Sequence, residues 1–336
     1  MGPNHCHTYS GRLRCFQFKG EMMMQPLFFE PVFKERIWGG TKLTSFGYEI
    51  PSEHTGECWA ISAHPNGPSI VKNGAYKGLS LADLWKEHRE LFGNLEGDKF
   101  PLLTKILDAN DDLSVQVHPD DTYAKVNENG ELGKTECWYI IDCDEGAELI
   151  FGHHAQTKEE LDRMIDAGEW DKLLRVVKIK KGDFFYVPSG TVHALCKGTL
   201  VLETQQNSDT TYRLYDYDRK DAEGNTRELH LEKSKDVITV PFKEEQLAFG
   251  TTKVGNVTIT SFVENEYFSV EKWDVKGDAT IDQPYPFLLC SVIDGSGVMI
   301  HQGVEYEVEK GSHFMLPNQF GEFSLNGDME LIVSYV

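Results

Sequence analysis

The stretch that decides the fold is Gly182-Asp-Phe-Phe-Tyr-Val-Pro-Ser-Gly-Thr-Val-His193. A glycine opens it, strand-forming residues follow, and Pro188 ends the strand at a turn. Pro188 and Gly190 shape this turn so that His193 points inward from the next strand. The pattern recurs in Gly311-Ser-His-Phe-Met-Leu-Pro317, again with a lysine directly before it. Two copies of one β module are therefore predicted.

The two copies differ in the residues after the proline. Glu322 stands where a second His193 would fall, and Gln319 stands where Gly190 would fall. We therefore expect the chemistry in the first copy and a structural role for the second. Upstream of the second copy, Ile293-Asp-Gly-Ser-Gly297 predicts a tight hairpin.

The rest of the chain also favours strands. Short β-branched or aromatic runs bounded by Gly, Asn, Asp or Pro are typical of a sandwich or barrel. These runs are Glu148–Phe151, Val176–Ile179, Phe184–Val187, Leu200–Glu203, Val257–Phe262, Phe287–Ile293 and Leu331–Tyr335. Two helices interrupt them: one is capped by Ser80 and closed by Gly93, and one begins at Thr157 with a capping-box Glu160 and extends to Leu174.

Composition limits the partners. The 336 residues carry 33 Lys+Arg against 54 Asp+Glu, a net charge of −21. This excess of acid argues against binding nucleic acid or anionic membranes, and no apolar run approaches the roughly 20 residues needed to span a bilayer. An anionic ligand would need a local positive site. The seven cysteines form no CxxC pair, so we expect reduced thiols and no zinc–thiolate cluster.

The first 21 residues lack apolar periodicity and carry no signal-peptide core. We hypothesise that native translation begins within Met22 to Met24. The alternative is a disordered arm over residues 1–23.

A polar strand face precedes the decisive stretch. In Leu113–Asp121, alternation places Leu113, Val115 and Val117 on one side and Ser114, Gln116 and His118 on the other. Such a face is either exposed to solvent or lines a polar cavity.

A second segment, Gly133–Tyr139, sets Lys134 and Glu136 on one face among apolar neighbours. A buried carboxylate needs a partner, and a divalent metal would supply one. Together with Glu136, the side chains of Gln116, His118 and His193 form a mixed nitrogen and oxygen set that suits zinc, with iron, cobalt or manganese also open.

Several separated motifs now resemble one family. The pattern Gly-x5-Pro-x-Gly-x2-His is similar to a signature of cupins. The combination of motifs resembles type I mannose-6-phosphate isomerase in its short bacterial form: ERIWGGTKL (35–43), GECWAISAHPNG (56–67), QVHPDD (116–121), GKTECWYI (133–140), VPSGTVHAL (187–195) and LETQQNSDTTYRLYDYDR (202–219). The resemblance covers about Met24 to Val336.

The resemblance implies a mostly β fold of two cupin (jelly-roll β-barrel) modules with a few inserted helices. Residues 24–245 would form the catalytic cupin domain, and residues 246–336 a degenerate one. It implies a cytoplasmic enzyme with one Zn²⁺ per chain and a phosphosugar substrate, without nucleic-acid or membrane partners. We expect a monomer or weak homodimer.

The resemblance also assigns roles to residues. The metal ligands would be Gln116, His118, Glu136 and His193. The catalytic residues would be Arg213, Lys134 and Glu203, and Ser114 and Lys105 would bind substrate. Longer family members carry a histidine where Gly133 stands, so any role of that histidine is lost or moved here.

Alternatives remain open. Lys105 could be a surface lysine, Glu203 a salt-bridge acid, and Arg213 a structural partner of Asp209, Asp216 or Asp218. Glu203, Lys134 and a metal-bound hydroxide are all candidates for the base that removes the carbon-bound proton. A lysine base would need a lowered pKa. The competing functions are a metal-dependent cupin oxygenase and a non-catalytic sugar-binding cupin.

Overall fold

The structure is a computed structural model that describes residues 24–221 and 223–336. The arm over residues 1–23 and the start-site hypothesis, apart from Met24 itself, lie outside the described residues.

The described strands are β1 (Leu27–Glu30), β2 (Val32–Gly40), β3 (Thr55–Ser62), β4 (Ile70–Val71), β5 (Leu102–Ala109), β6 (Val115–Val117), β7 (Glu136–Cys143), β8 (Glu148–His153), β9 (Leu174–Lys178), β10 (Phe184–Val187), β11 (His193–Leu195), β12 (Thr199–Gln206), β13 (Tyr212–Tyr215), β14 (Gly250–Val254), β15 (Val257–Glu264), β16 (Ser269–Gln283), β17 (Leu288–His301), β18 (Val304–Glu309), β19 (His313–Leu316) and β20 (Gly321–Tyr335). The described helices are α1 (Leu81–Glu87), α2 (Asp121–Asn127), α3 (Lys158–Asp166), α4 (Trp170–Leu173) and α5 (Leu231–Val237), with 3-10 turns at Lys42–Phe46 and Arg89–Phe92. The prediction of a mostly β fold is confirmed.

The strands form three antiparallel sheets. A six-stranded sheet has the order β10-β7-β12-β5-β3-β2, and a five-stranded sheet has the order β13-β6-β11-β8-β9. A nine-stranded sheet runs β14-β15-β16-β20-β17-β19-β1-β4, with β18 paired to β17. Of the described helices, none is both long and apolar enough to cross a membrane.

The six-stranded sheet is the middle layer. Its inner face packs on the five-stranded sheet around Trp138, Leu149 and Leu195. Its outer face packs on the nine-stranded sheet, where Ile106 and Met315 share one cluster. The other side of the five-stranded sheet is covered by α3 and α4. The space between the six- and five-stranded sheets therefore has rigid walls on both sides.

The nine-stranded sheet joins the two ends of the described chain. β1 pairs antiparallel with β19, with Leu27 opposite Met315 and Phe28 opposite Phe314. The domain boundary predicted at 245/246 falls between α5 and β14, and that boundary stays a prediction.

The helix caps follow the sequence signals with two differences. Ser80 and Asp83 form a reciprocal capping box at α1, and Gly93 closes the following 3-10 turn at φ +66°. Thr157 caps α3, but the Glu160 carboxylate accepts from the backbone of Gln156. The helix predicted to extend to Leu174 instead ends at Asp166, because Gly168 at φ +64° separates α3 from α4.

The hairpin predicted at Ile293–Gly297 is wrong. These residues lie inside β17, at an irregularity in its pairing with β20. A Cβ on Gly295 would lie 2.1 Å from the Asp328 carbonyl oxygen, so this glycine permits close strand contact. The turn between β17 and β18 lies instead at Gln302 and Gly303, both at positive φ.

Candidate active site

A cavity of about 420 Å³ opens between the six- and five-stranded sheets. This volume lies within the range of roughly 300–1,000 Å³ typical of small-molecule sites. The charged side chains that line it are Arg36, Glu57, Lys105, Lys134, Glu203, Asp209, Arg213 and Arg227. Five of these eight are cations, so the cavity is locally positive although the chain is strongly acidic.

Three predicted metal ligands, His118, Glu136 and His193, meet beside this cavity in a cluster that we call the metal wall. Lys134, which lines the cavity, contacts this cluster. His118 follows β6, Glu136 begins β7 and His193 begins β11. One ligand atom of each residue lies within 4.8 Å of the other two, and all three side chains are buried. The two sheets thus bring together residues that lie 75 positions apart between His118 and His193.

Backbone carbonyls orient both imidazoles. His118 Nδ1 lies 2.9 Å from the Thr210 carbonyl, and His193 Nδ1 lies 2.8 Å from the Thr191 carbonyl. A proton on each Nδ1 satisfies these contacts and leaves the Nε2 lone pairs facing Glu136. His193 Nε2 is 3.2 Å from Glu136 Oε1, and His118 Nε2 is 3.5 Å from Glu136 Oε2.

This arrangement needs a cation. Both Glu136 oxygens and His193 Nε2 are buried without a hydrogen-bond partner. Two imidazole lone pairs and a carboxylate turned toward one point are costly to bury unless a positive ion lies between them. The donor set of two nitrogens and a carboxylate fits a divalent metal such as zinc.

Gln116 lies beside the metal wall, opposite one of its histidines. In cross-strand register it lies directly opposite His193 on β11 and Arg213 on β13. Residues directly opposite each other share a face of the sheet, and Gln116 and Arg213 both line the cavity. Ligation by Gln116 stays a prediction.

The metal wall carries strongly perturbed ionisable groups. Burial alone would raise the pKa of Glu136, but Lys134, His118 and His193 outweigh it and hold that pKa well below its usual value. Burial, aided by Lys134, lowers the pKa of His118 well below its usual value. An ionised carboxylate and neutral imidazoles are the forms that bind metal.

Glu203 is a buried carboxyl on β12, the strand next to β7 in the six-stranded sheet. Trp138 Nε1 donates to Glu203 Oε2 at 2.8 Å, and Lys105 Nζ lies 3.6 Å from Glu203 Oε1. Burial raises the pKa of Glu203 and the negative Glu136 adds to it, against the opposing effect of the two nearby lysines. Lys105 is itself buried on β5, so the reading of a surface lysine is wrong.

Lys134 lies beside the metal wall. Its Nζ is 3.4 Å from Glu136 Oε2 and 3.3 Å from His118 Nε2. Burial lowers the pKa of Lys134, but Glu136 and Glu203 outweigh it and raise the pKa overall. The protein's own groups therefore keep this lysine charged rather than preparing it as a base.

Arg213 makes no ion pair with any described residue. Its Nη1 donates to the Glu228 carbonyl at 2.8 Å, and its Nε is buried without a partner. The nearby Asp216 instead accepts hydrogen bonds from Arg219 and Arg227. Among the described residues, the reading of Arg213 as a structural partner of an aspartate is therefore wrong, and its guanidinium lines the cavity without an ion pair.

Ser114 lines the cavity as its predicted face requires, and it is buried. Leu113 does not follow the predicted alternation. It also lines the cavity and packs with Trp38 and Trp138, because β6 begins only at Val115 and strand alternation does not apply before it.

Sequence reasoning missed a further buried carboxylate of the cavity, Glu57. Arg36 binds both of its oxygens at 2.9 and 3.2 Å, and Trp59 Nε1 donates to Oε2 at 2.6 Å. Burial would raise the pKa of Glu57, but Lys105 and Arg36 lower it overall. A signal was present, since the tripeptide Glu-Cys-Trp occurs at both 57–59 and 136–138.

Known proteins resemble this chain over most of its length. The family profile "Phosphomannose isomerase type I, catalytic domain" matches residues 27–141, and "Mannose-6-phosphate isomerase, cupin domain" matches residues 258–336. A mannose-6-phosphate isomerase of Bacillus subtilis is 64% identical over 94% of this chain and 100% of its own length. A mannose-6-phosphate isomerase of Streptococcus mutans is 54% identical over 93% of this chain and 99% of its own length.

The fold agrees with the sequence match. A crystal structure of mannose 6-phosphate isomerase from Bacillus subtilis has a TM-score of 0.91 at 60% identity, covering 93% of this chain and 99% of that chain. Profiles, sequence relatives and solved structure all point the same way: the chain belongs to the type I mannose-6-phosphate isomerase family.

Proposed function

We propose that this protein is a metal-dependent aldose–ketose isomerase that interconverts mannose 6-phosphate and fructose 6-phosphate. One observation carries the proposal: His118, Glu136 and His193 converge beside a cavity that is lined by Arg213, a guanidinium without an ion pair among the described residues. A metal ion held by these three residues could bind the oxygens of a sugar, and a guanidinium without an ion pair could bind an anionic group. The similar proteins from Bacillus subtilis and Streptococcus mutans carry the same activity in their names.

The metal would be Zn²⁺, one per chain, held by Gln116, His118, Glu136 and His193. When bound, such an ion supplies a Lewis acid that polarises sugar oxygens and favours ionised forms of the reacting group.

The isomerisation moves a proton between C2 and C1 of the open-chain sugar through a cis-enediol(ate). Glu203 suits this transfer, because a raised pKa makes its carboxylate a stronger base while the acid form can still return the proton. Against the effect of burial, Glu136 and Glu203 raise the pKa of Lys134, so its ammonium group can donate to a sugar oxygen and stabilise negative charge there. Arg213 stabilises the developing oxyanion from the other sheet.

Side chains must bind the phosphate, because no glycine-rich phosphate loop is present in the sequence. Lys105 and Ser114 are the proposed substrate-binding residues, and both line the cavity.

The test measures fructose 6-phosphate formed from mannose 6-phosphate in an assay coupled to NADPH. We expect turnover that is lost after chelation and restored by Zn²⁺, with one zinc per chain by elemental analysis. Glu203→Gln should lower kcat while leaving the zinc content unchanged. No chelator-sensitive turnover would refute the proposal, and oxygen consumption in its place would support the oxygenase alternative.

The oligomeric state and cellular location are separate predictions. A monomer or weak homodimer in the cytoplasm is expected, which light scattering after size exclusion and cell fractionation would test.

A further inference from the structure

Two Glu-Cys-Trp tripeptides lie on strands β3 and β7 of the six-stranded sheet, at Glu57–Trp59 and Glu136–Trp138. In the first, Trp59 Nε1 donates to the glutamate of its own tripeptide at 2.6 Å. In the second, Glu136 faces the two histidines of the metal wall, and Trp138 Nε1 donates to Glu203 at 2.8 Å. One motif therefore makes two different hydrogen bonds.

The strand register explains the second bond. Trp138 on β7 lies directly opposite Glu203 on β12, which lies directly opposite Lys105 on β5. Lys105 in turn lies opposite Trp59 on β3. Glu203 is thus held on one side by an indole N–H and on the other by an ammonium group 3.6 Å away.

Trp138 is shielded from the ligand space. It is 1% exposed and does not line the cavity, whereas Glu203 does. Its ring also packs edge-on against His193, with ring centroids 5.3 Å apart at 70°. Trp138 therefore contacts both the proposed proton-transfer group and the metal wall without touching the sugar.

We infer that Trp138 is a positioning residue that fixes the Glu203 carboxylate for proton transfer. This inference rests on the proposed isomerase function. The indole N–H occupies Oε2 and leaves Oε1 to face Lys105 and the cavity. Without that bond, the carboxylate is free to rotate and offer both oxygens to Lys105, away from the sugar carbon.

The test compares Trp138→Phe with the matched control Trp59→Phe. Phenylalanine keeps an aromatic ring against His193 but removes the N–H. We expect kcat of Trp138→Phe to fall roughly 10- to 100-fold, the cost of one hydrogen bond to a charged group. KM should stay within about twofold and the zinc-to-protein ratio should not change, because neither the sugar nor the metal contacts the lost group.

The control should behave differently. In Trp59→Phe the Glu57 carboxylate keeps both bonds from Arg36, so kcat should stay within about threefold of wild type.

A double-mutant cycle separates positioning from general damage. In the Glu203→Gln background, Trp138→Phe should change kcat by less than about twofold, because the group that it positions is already disabled. The inference is overturned if Trp138→Phe retains wild-type kcat, or if Trp138→Phe lowers kcat by the same factor in the wild-type and Glu203→Gln backgrounds. It is also overturned if the fall in kcat is matched by an equal fall in the zinc-to-protein ratio. An inactive wild-type protein would instead refute the proposed function.

If Trp138→Phe does not fold, replacement of Trp138 by β-(3-benzothienyl)alanine keeps the shape of the indole and substitutes sulfur for N–H. The same fall in kcat supports the inference, and an unchanged kcat overturns it.

Discussion

The turn after Pro188 and the turn after Pro317 have the same backbone conformation, but they lead to different side chains. In each, the amide three residues after the proline donates to the proline carbonyl, at 3.1 Å from Thr191 and 3.2 Å from Phe320. In each, the second residue after the proline has a left-handed φ, at +84° for Gly190 and +59° for Gln319. The first turn leads to a buried metal-wall histidine, whereas the second leads to an exposed glutamate.

The difference lies in what faces each turn. Gly190 donates its N–H to the His118 carbonyl and accepts from the Thr239 amide, so the first turn is tied to the metal wall. In the second turn Phe320 is buried and stacks on His301 with ring centroids 3.8 Å apart. A metal site thus needs a partner strand that carries ligands as well as the turn, and the second turn is used for packing instead.

Removing the histidine tests this contrast most severely. His193→Ala should abolish zinc binding and lower kcat at least about 1,000-fold. Loss of a residue that only hydrogen-bonds to a metal ligand costs about 10- to 100-fold, and loss of a ligand itself should cost more. Elemental analysis and the isomerase assay measure both. The matched variant Glu322→Ala should leave both unchanged, and activity in zinc-free His193→Ala would show that the ligand assignment is wrong.

Gly190→Ala tests the turn itself. A Cβ at this position would lie 2.4 Å from Thr239 Oγ1 and 2.9 Å from the Val237 carbonyl, at a φ that only glycine adopts easily. We expect the free energy of unfolding to fall by about 2–3 kcal/mol and zinc affinity to weaken as the His118 carbonyl shifts. The control Gln319→Ala should change stability by less than about 0.5 kcal/mol. Equal effects in the two turns would contradict the contrast.

The second region contains its own buried histidine, His313, held by Tyr48 and Ser291. Burial, with a contribution from Lys72, lowers the pKa of His313 to about 3. The unfolded chain, with a histidine pKa of about 6.5, takes up a proton that the folded chain does not. This histidine's contribution to stability is therefore complete above about pH 6.5 and is lost as the pH falls, at about 1.4 kcal/mol per pH unit.

His313→Gln should remove that acid sensitivity. Denaturant unfolding at pH 7, 6 and 5 should show a stability gap between wild type and variant that narrows as the pH falls. A gap that stays constant would mean that His313 does not remain neutral in the folded protein.

The smallest effect is expected from Gln319→Gly, which gives the second turn the residue of the first. A left-handed φ costs a non-glycine residue about 1–2 kcal/mol, and the greater freedom of glycine in the unfolded chain offsets part of this gain. We expect stabilisation of up to about 1 kcal/mol in denaturant unfolding. Destabilisation would indicate that the Gln319 side chain contributes contacts which the turn requires.

Local chemistry made part of this protein predictable. The glycine–proline repeat predicted both turns. The polar residues on otherwise apolar strands predicted that His118, Glu136 and His193 lie close together, as the structure shows. The cap at Ser80 was equally local.

The errors arose where partners are distant in sequence. Ile293–Gly297 looks like a turn in isolation, but its glycines serve contact with a strand about 30 residues away. The sequence left open whether Arg213 pairs with a nearby aspartate, because the pairing of Asp216 with Arg219 and Arg227 is visible only in the fold. Glu57 was missed because its role depends on Lys105 and Arg36, which only the sheet brings close.

The pairing of β1 with β19 has a consequence for synthesis of the protein. The ribosome makes Leu27 and Phe28 on β1 long before Met315 and Phe314, the residues opposite them on β19. Until β19 is made, one edge of β1 is unpaired, and Leu27, which is 2% exposed in the finished fold, lacks the strand beside it. A product truncated before β19 keeps that apolar strand open as an edge, where chaperones or proteases can recognise it. The nine-stranded sheet can thus close over β1 only after β19 has been made.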